Sequence, residues 1–484
     1  MLKYISTKGG TSPVDFETAV LKGFADDGGL FVPDSIPEVS AGQLQEWSKL
    51  SFNDLACEIL SLYIDESIIP ADDLKNLVEK SMEGFSHPDI IPVFPLGQDS
   101  AHFIMELFHG PTLSFKDVAM GFLINTMDYL LERKGKKVSL LIATTGDTGP
   151  AAAHASVGKK NIDCWILFPR GFITEEQERQ MTTLDTSNVH AVSVENCPDG
   201  GDDLDIVIAQ LFANKDLVEN FGLSSVNSIN WCRVMFQCIH YFYAYFKAAE
   251  TIGEKIAYSV PTGAFGNLFA GFLAREMGLP VKTFICANNQ NASIHRVLET
   301  KRFSRKSLKQ SVSNAIDIAL PYNYWRFLYF ISGMNSESLK TWMDEYQTQG
   351  YAAFDDSMMG KIRKGFMSAA VSDDETLSAI AQTYKTCDGY LLDPHGAVAV
   401  AAVNKLRSGL EPGTKIVTLL TAHPAKFPDI TRRALKFDKD LPPSGMHESI
   451  EAVKDQFHQV KLCDCSKLKQ ALIYGMTSSK EKDI

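Results

Sequence analysis

Short apolar runs that end in a glycine- or proline-bearing turn and lead into a helix-like segment recur along the chain, and this pattern restricts the fold more than any other feature. Four runs show it clearly, and they are VSLLIAT (138–144), DCWILF (163–168), KIAYSV (255–260) and KIVTLL (415–420). Apolar runs of this length, bounded by turn residues, are typical of buried strands. Repeated alternation of strand, turn and helix predicts an α/β fold with mostly parallel sheets and flanking helices.

The chain is long enough for more than one lobe, because it has 484 residues and single cores rarely grow beyond about 250 to 300 residues. Residues 1–100 are predicted to form an N-terminal helical lobe, since the stretch LQEWSKLSFNDLACEILSLYI (44–64) carries apolar residues at helical spacing. Residues 101–440 contain the predicted strands and are expected to form a catalytic region of two α/β lobes. Residues 441–484 are interpreted as a C-terminal extension with a frayed end.

Charge and cysteine usage restrict the class of partner. The formal net charge is -12, and no basic run is interleaved with aromatic residues, which argues against a nucleic-acid partner. The opening MLKYISTKGG lacks the apolar core of a secretory signal, and no run of roughly 18 apolar residues predicts a membrane span. Of nine scattered cysteines, the close pair Cys463 and Cys465 lacks the two-residue spacer of zinc or redox sites. We therefore expect a cytoplasmic protein with reduced cysteines, no metal, and a monomeric or homodimeric state.

Two glycine loops are candidate anion sites, because parallel sheets bind ligands at the carboxyl ends of their strands, where helix N-termini also point. VPTGAFGN (260–267) has the outline of a phosphate cradle, although no Lys-Ser or Lys-Thr follows as in a P-loop, and a plain glycine turn is the alternative. TTGDTG (144–149) is interpreted as a substrate-anion loop, with a structural strand-to-helix turn as the alternative. Its hydroxyls belong to Thr144, Thr145 and Thr148.

A third polar segment, NSINWCR (227–233), precedes the strongly apolar stretch VMFQCIHYFYAYF, whose aromatic residues we interpret as packing. Asn227, Ser228 and Asn230 either cap that helix or join Arg233 as donors to a phosphate. A fourth segment, ELFHGPTLSFKD (106–117), carries Lys116, which by itself reads equally well as a surface lysine at a helix start. Three anion-binding loops and a lysine, without a metal-ligand cluster or a Ser-His-Asp order, favour a cofactor that carries its own phosphate and condenses with a lysine.

Together these motifs resemble those of the threonine synthases, in which pyridoxal 5'-phosphate sits in a fold-type II scaffold like that of tryptophan synthase β. The resemblance is strongest to the branch of bacterial threonine synthases and animal threonine synthase-like proteins. Its motifs are short but keep one order along most of the chain: YISTKGG (4–10), DGGLFVP (27–33), ELFHGPTLSFKD, TTGDTG, QMTT (180–183), NSINWCR, VPTGAFGN, LLDPHGAVAV (391–400) and TAHPAKF (421–427).

The resemblance implies a role for each motif. Lys116 is implied as the lysine that forms a Schiff base with pyridoxal phosphate and later moves protons on the substrate. Thr421 is implied to meet the pyridine nitrogen of the cofactor. The phosphate of the cofactor is implied to lie on Gly263, Ala264, Phe265, Gly266 and Asn267. The carboxylate and phosphate of a small phosphorylated amino acid are implied to be held by Thr144, Thr145, Asp147, Thr148, Asn227, Ser228, Asn230 and Arg233.

The implied reaction converts O-phosphohomoserine and water to threonine and phosphate, with a lobe closing on the bound substrate. Two positions depart from the usual pattern of threonine synthases, because Ala264 stands where they carry asparagine and Thr145 where they carry serine. The alternative is a threonine synthase-like phospho-lyase that degrades O-phosphohomoserine or O-phosphothreonine to 2-oxobutanoate, ammonia and phosphate, and Ala264 favours it. A cofactor-free protein retained for binding or signalling is a third interpretation, which Lys116, both glycine loops and Thr421 together oppose.

Overall fold

The computed structural model of the chain describes residues 2–438 and 440–482, which form two mostly parallel sheets surrounded by helices. The strands are β1 (Tyr4–Ser6), β2 (Phe31–Pro33), β3 (Val93–Leu96), β4 (Asp99–Glu106), β5 (Val138–Ala143), β6 (Ile162–Pro169), β7 (Val189–Glu195), β8 (Leu223–Ser224), β9 (Ile256–Pro261), β10 (Val281–Asn288), β11 (Arg302–Ser304), β12 (Tyr351–Ala353), β13 (Phe366–Ala370), β14 (Ile416–Leu420) and β15 (Val460–Asp464). The helices are α1 (Phe16–Lys22), α2 (Ala41–Trp47), α3 (Phe52–Ser61), α4 (Ala71–Met82), α5 (Lys116–Lys134), α6 (Thr148–Ser156), α7 (Glu175–Thr182), α8 (Gly201–Phe212), α9 (Lys215–Phe221), α10 (Trp231–Ala248), α11 (Gly266–Glu276), α12 (Ser293–Thr300), α13 (Asn323–Ile331), α14 (Ser336–Gln349), α15 (Asp356–Arg363), α16 (Asp373–Thr386), α17 (Pro394–Leu406), α18 (Pro428–Leu435), α19 (Glu448–Glu451) and α20 (Leu468–Lys482).

The larger sheet has six strands in the order β13-β10-β9-β14-β4-β3, and every neighbouring pair is parallel except β3 with β4. The smaller sheet has five strands in the order β15-β7-β6-β5-β8, all parallel. The four apolar runs singled out in the sequence are β5, β6, β9 and β14. Every residue of β9 and β14 is buried, as expected for strands covered on both faces. The prediction of mostly parallel sheets with flanking helices is confirmed.

The N-terminal region is mainly helical, with the short antiparallel pair of β1 and β2 beside α1 to α4. The apolar spacing over residues 44–64 predicts helix, and the chain forms two helices there, α2 and α3. The break is local, because the Ser51 hydroxyl accepts a hydrogen bond from the Asp54 N–H at 3.2 Å and so caps a new helix. Trp47 and Phe52, on either side of the break, pack edge-on against Phe242 and Tyr243 of α10.

Helix α10 is almost wholly buried and is the centre of the core, as the aromatic stretch of the sequence predicts. Its rings also contact α11 and the larger sheet, since Tyr241 lies edge-on to Tyr258 of β9 at 5.0 Å between centroids. Among the helices that the structure describes, none is long and apolar enough to cross a membrane.

The C-terminal segment belongs to the smaller sheet. Strand β15 pairs in parallel with β7, and α20 packs on the same sheet, where Leu468, Leu472 and Met476 join the cluster around Trp165. A side chain at Gly475 would overlap the Trp165 ring, so the absence of one allows this close approach. Residues 483 and 484, part of the predicted frayed end, lie outside the described residues, as do residues 1 and 439.

Candidate active site

A cavity of about 920 Å³ lies at the carboxyl ends of β5, β9 and β14. Loops from both large sheets contribute to its wall, as expected for a ligand site of parallel sheets. The N-terminal region also reaches it, through Phe24, Ala25 and Gly28. The structure brings together all but one of the residues predicted for the site, and those that line the cavity are Lys116, Thr144, Thr145, Asp147, Thr148, Asn227, Ser228, Arg233, Gly263, Ala264, Phe265, Gly266, Asn267 and Thr421.

Lys116 begins α5, separated by three residues from the HGPT turn (109–112), and its loop is anchored just after β14 because the Phe115 N–H donates to the Thr421 carbonyl at 2.8 Å. The lysine is partly accessible through the cavity, and its amine lies 3.9 Å from the centroid of the Phe115 ring. Burial lowers the pKa of Lys116 to about 7, and the nearby Arg233 guanidinium adds to the effect. A large fraction of this amine is therefore neutral near neutral pH, as a nucleophile or proton acceptor requires.

The cradle after β9 is formed by residues 262–265 and the first turn of α11. Phe265 has a φ of 64°, a left-handed conformation that is unusual for a large residue, and its ring is held against Tyr324 and Phe327 at 5.2 and 5.5 Å. This turn directs the start of α11 at the cavity, and no side chain among the described residues caps the first N–H groups of that helix. Free N–H groups at a helix start bind anions readily. A Cβ at Gly263 would lie 2.8 Å from the Ile316 Cα, so the wall of the cradle is closely packed.

Buried polar atoms without a protein partner supply the test of whether a phosphorylated cofactor fits here. In the described part of the chain, Arg233 Nε, Asn267 Nδ2 and Asn227 Oδ1 have no hydrogen-bond partner although all three residues line the cavity. The Asn267 amide is held by its oxygen, which contacts His240 Nε2 at 2.9 Å and the Tyr241 hydroxyl at 3.0 Å, so its donor nitrogen remains available. The two unpaired donors, Arg233 Nε and Asn267 Nδ2, are costly to bury alone and suit an anionic partner, whereas the Asn227 oxygen is an acceptor and suits a hydrogen-bond donor. The cradle, these donors and Lys116 together fit pyridoxal phosphate.

The loop of residues 144–149 reaches the cavity through its hydroxyls and glycines. The Thr144 hydroxyl accepts hydrogen bonds from the N–H groups of Gly146 at 3.2 Å and Gly149 at 3.0 Å, so it shapes the loop. Thr145 and Thr148 line the cavity beside it. The geometry is consistent with the prediction that this loop holds a substrate anion, with Thr144 acting through the loop backbone.

Asp147 pairs with a lysine of the protein, whereas it was predicted to bind the substrate anion. Its carboxylate lies 2.7 Å from the amine of Lys426, and both side chains are buried, at 3% and 0% exposure. Although burial raises the pKa of Asp147, the charges of Lys426, His395 and Lys116 hold it below its usual range. A carboxylate that stays ionised repels a phosphate or carboxylate group, so the geometry opposes the prediction that Asp147 binds the substrate anion.

Asn230 is the one predicted site residue that is absent from the described lining of the cavity. Its side-chain oxygen accepts from the Cys232 N–H at 3.2 Å, and its side-chain nitrogen donates to the carbonyls of Val20 and Ser225 at 2.9 and 3.2 Å. With its amide satisfied on both sides, Asn230 caps α10, and the capping interpretation is the right one for this residue. Arg233, one turn later, does reach the cavity and donates through Nη1 to the Val226 carbonyl at 3.2 Å.

The sequence interpretation assigned no site role to three residues that the structure places in or beside the site, namely Lys426, His395 and Asn323. Lys426 belongs to the TAHPAKF motif, but only its ion pair reveals its role. His395 lines the cavity with its ring fixed between the Asp393 carboxylate at 2.8 Å and the Ala315 N–H at 3.1 Å. Asn323 brings a side-chain amide beside the cradle, 3.4 Å from the Ala264 carbonyl and 3.1 Å from the Ser228 hydroxyl. Its sequence context, at the start of an apolar helix, predicts only a cap.

Family models match nearly the whole chain in three regions. Residues 3–82 match the threonine synthase N terminus, residues 92–422 the pyridoxal-phosphate dependent enzymes, and residues 396–471 the C-terminal region of threonine synthase.

Individual relatives cover similar lengths. The threonine synthase of Schizosaccharomyces pombe is 37% identical over 91% of this chain and 90% of its own length. The threonine synthase-like 2 protein of Xenopus laevis is 38% identical over 91% of this chain and 92% of its own length. The crystal structure of PLP-bound threonine synthase from Brucella melitensis superposes with a TM-score of 0.90 at 34% identity, over 99% of this chain and all of that one. The chain therefore belongs to the threonine synthase family of pyridoxal-phosphate-dependent, fold-type II enzymes.

Proposed function

We propose that this enzyme converts O-phosphohomoserine and water to threonine and phosphate. One observation carries the proposal: the amine of Lys116 faces the same cavity as two separate anion-binding elements. The first is the cradle at the start of α11, and the second is formed by Arg233 and the loop of residues 144–149. The cradle would take the phosphate of the cofactor, while Arg233 and the loop of residues 144–149 would take the phosphate and the carboxylate of the substrate. Relatives named threonine synthase, 35–37% identical over most of the chain, support the same activity.

Pyridoxal phosphate, when bound, supplies an electron-withdrawing ring that stabilises negative charge on the carbons of an amino-acid substrate. Lys116 and the cradle residues 263–267 would hold it, with Thr421 as the partner of its ring nitrogen. A neutral threonine hydroxyl at that position would favour the unprotonated nitrogen, whereas a carboxylate would favour the protonated form. Thr421 is buried and directly follows β14, and its carbonyl anchors the lysine loop, which is the segment of residues 107–115 before Lys116.

Proton movement is the work of Lys116. Because burial lowers its pKa to about 7, its Nζ can accept the α proton of the substrate, return that proton to the conjugated system that substrate and cofactor would form, and so be neutral again to accept a β proton as phosphate leaves from Cγ. Arg233 is the cation that favours departure of the phosphate, since its unpaired Nε and its charge lie at the cavity wall. Proton return to Cγ and Cα and addition of water at Cβ then give threonine.

The phospho-lyase is the second candidate, and Ala264 is the observation that favours it. A methyl side chain at the cradle removes the amide that threonine synthases carry there, which corresponds to about 0.5 to 1.5 kcal/mol for one hydrogen bond. The Asn323 amide at the same wall does not replace it, because its nitrogen already donates to the Ala264 carbonyl and the Ser228 hydroxyl. Under this alternative, phosphate is eliminated without controlled hydration, and 2-oxobutanoate and ammonia are released.

The two activities separate in one product assay. The purified protein, loaded with pyridoxal phosphate, is incubated with O-phosphohomoserine while phosphate, threonine and 2-oxobutanoate are quantified together. We expect threonine to match phosphate, and Lys116→Ala is the negative control. If 2-oxobutanoate matches phosphate instead, the enzyme is a phospho-lyase, and Ala264→Asn is then tested for a return of threonine as product.

The cellular location and the oligomeric state of the enzyme remain predictions. We expect the enzyme to be cytoplasmic, which fractionation of the source cells tests. We expect a monomer or a homodimer, which light scattering coupled to size-exclusion chromatography measures.

A further inference from the structure

The ion pair between Asp147 and Lys426 joins the two large sheets inside the protein. Asp147 follows β5 of the smaller sheet, and Lys426 follows β14 of the larger one. Burying two opposite charges is unfavourable unless they are paired and further hydrogen-bonded, because both lose their hydration. A pair that is buried to this degree beside a reactive lysine therefore points to a role in the site.

Further hydrogen bonds fix the pair to the lysine loop. The Lys426 amine also donates to the Thr112 carbonyl at 2.8 Å, within the HGPT turn that precedes Lys116. Helix α7 supplies two glutamine amides: Gln177 donates to the Asp147 carboxylate at 3.0 Å, and Gln180 donates to the same Thr112 carbonyl at 3.1 Å. The loop of residues 144–149, the lysine loop and the TAHPAKF loop are thus held as one unit.

The charges around Lys116 show what the carboxylate contributes. Arg233 of α10 and Lys426 both act on the Lys116 amine as positive charges, and Asp147 acts on it as a negative one. His395 of α17 lies close enough to Asp147 to affect its ionisation. Without Asp147, the positive charges of Arg233 and Lys426 act on the Lys116 amine unopposed and disfavour its protonated form.

We infer that Asp147 and Lys426 form a positioning pair, which holds the loop of residues 144–149 against the lysine loop and balances the positive charge around Lys116. This inference removes Asp147 from the set of substrate ligands and gives it a role that acts through Lys116. It rests on the proposed function only in taking Lys116 as the reactive lysine.

The test measures how readily the Lys116 amine reacts as pH changes. The full-length, cofactor-free chain is labelled with acetic anhydride over a pH series, and the labelled fraction of Lys116 is read by mass spectrometry. Asp147→Asn removes the negative charge and is expected to shift the labelling midpoint to lower pH, whereas Lys426→Met removes a positive charge and is expected to shift it to higher pH. At a fixed pH below the midpoints, Lys116 is expected to be labelled about three- to tenfold faster in Asp147→Asn and about three- to tenfold more slowly in Lys426→Met than in the wild type.

Labelling midpoints that shift in opposite directions indicate the charge role. Both single variants lose the same ion pair, so a purely structural effect of that loss would shift the midpoint in the same direction in both. The double variant, neutral at both positions, is expected to return towards the wild-type midpoint. Lys415→Met is the matched control, because Lys415 is 10% exposed and pairs with Glu250 at 2.9 Å in another part of the protein. Midpoints that do not move, or that move in the same direction in both single variants, overturn the inference.

The positioning role has its own measurement. The double variant keeps the charge balance but loses the tie between the loops, so its KM for O-phosphohomoserine is expected to rise about tenfold or more, with a smaller change in kcat. A wild-type KM in this variant contradicts the positioning role, even if the single variants fail to fold. The labelling needs neither cofactor nor substrate, so it stays readable if the wild-type enzyme forms no threonine and the proposed function fails.

Discussion

Lys116 combines a reactive position with a small structural role. Its side chain faces the cavity, and its amine lies over the Phe115 ring at 3.9 Å from the centroid. We therefore expect Lys116→Ala to lose the visible absorbance of lysine-bound pyridoxal phosphate and at least about 10³-fold in turnover, while it keeps the wild-type circular dichroism. Lys134→Ala, at the other end of the same helix, is the control and should keep both absorbance and turnover. Turnover at the wild-type rate in Lys116→Ala contradicts the assignment of this lysine.

Arg233 is predicted to recognise the phosphate of the substrate. Its guanidinium is buried, its Nε has no protein partner in the described residues, and burial lowers its pKa only to about 10, so it stays charged at neutral pH. Arg233→Met should raise KM for O-phosphohomoserine by about 10- to 100-fold, the value of one charge-assisted hydrogen bond, because this contact is lost. Binding of homoserine, which lacks the phosphate, should change much less. Equal weakening of both ligands, measured by calorimetry, would show that Arg233 only packs and caps.

The cradle is an element whose shape depends on one glycine. A Cβ at Gly263 would press on the Ile316 backbone at 2.8 Å, so Gly263→Ala must displace the cavity wall. We expect this variant to bind pyridoxal phosphate at least about tenfold more weakly in an equilibrium titration of the cofactor-free protein. Gly360→Ala, where a Cβ meets nothing within 4 Å on an exposed face of α15, should keep the wild-type affinity and gain up to about 1 kcal/mol in stability. Equal affinity in the two variants would exclude a role for the close packing at Gly263.

At the level of elements, the sequence predicted those strands, turns and helices that are determined by residues close together in the chain. A buried strand, a glycine turn and a following helix are all read within about fifteen residues, so β5, β9, β14 and their loops were predicted correctly. Asp147 and Lys426 are 279 positions apart, and no local pattern reports that they meet. For the same reason, Asn230 and Arg233 looked alike as polar residues at a helix start, although one faces the N-terminal region and the other the cavity. The break between α2 and α3 was readable from Ser51, but apolar periodicity runs across it.

The whole molecule should show the unusual pKa of Lys116 in its stability. The folded pKa of about 7 lies below the ordinary 10.5, so the unfolded chain binds more protons between these values. The contribution of Lys116 to the stability of the cofactor-free protein is therefore least favourable below about pH 7 and improves as pH rises towards 10.5. Lys116→Met should accordingly stabilise the cofactor-free protein by about 1 to 4 kcal/mol near pH 6, and by much less near pH 10. Urea unfolding at the two pH values measures the difference, and a constant difference contradicts the depressed pKa.

The C-terminal segment is predicted to be essential to the smaller sheet. Removal of residues 441–484 exposes the edge of β7 and the cluster around Trp165, each of whose buried side chains contributes about 1.5 to 3 kcal/mol. The shortened chain should melt at a lower temperature and aggregate, as light scattering during thermal unfolding would reveal. A chain that lacks only residues 481–484 is the control and should melt like the wild type. An unchanged melting temperature after the larger deletion would show that the sheet is complete without β15.

The pairing of β15 with β7 also has a consequence for biosynthesis. Glu195 ends β7 and Val460 begins β15, 265 positions later, so a ribosome adding about 5 to 20 residues per second needs roughly 13 to 53 s to supply the missing neighbour. Throughout that interval β7 presents open hydrogen-bonding groups and an uncovered apolar face to the cell. The nascent chain is therefore exposed to misassembly and to chaperone capture until translation is almost finished, and codon choice between residues 196 and 460 sets how long that exposure lasts.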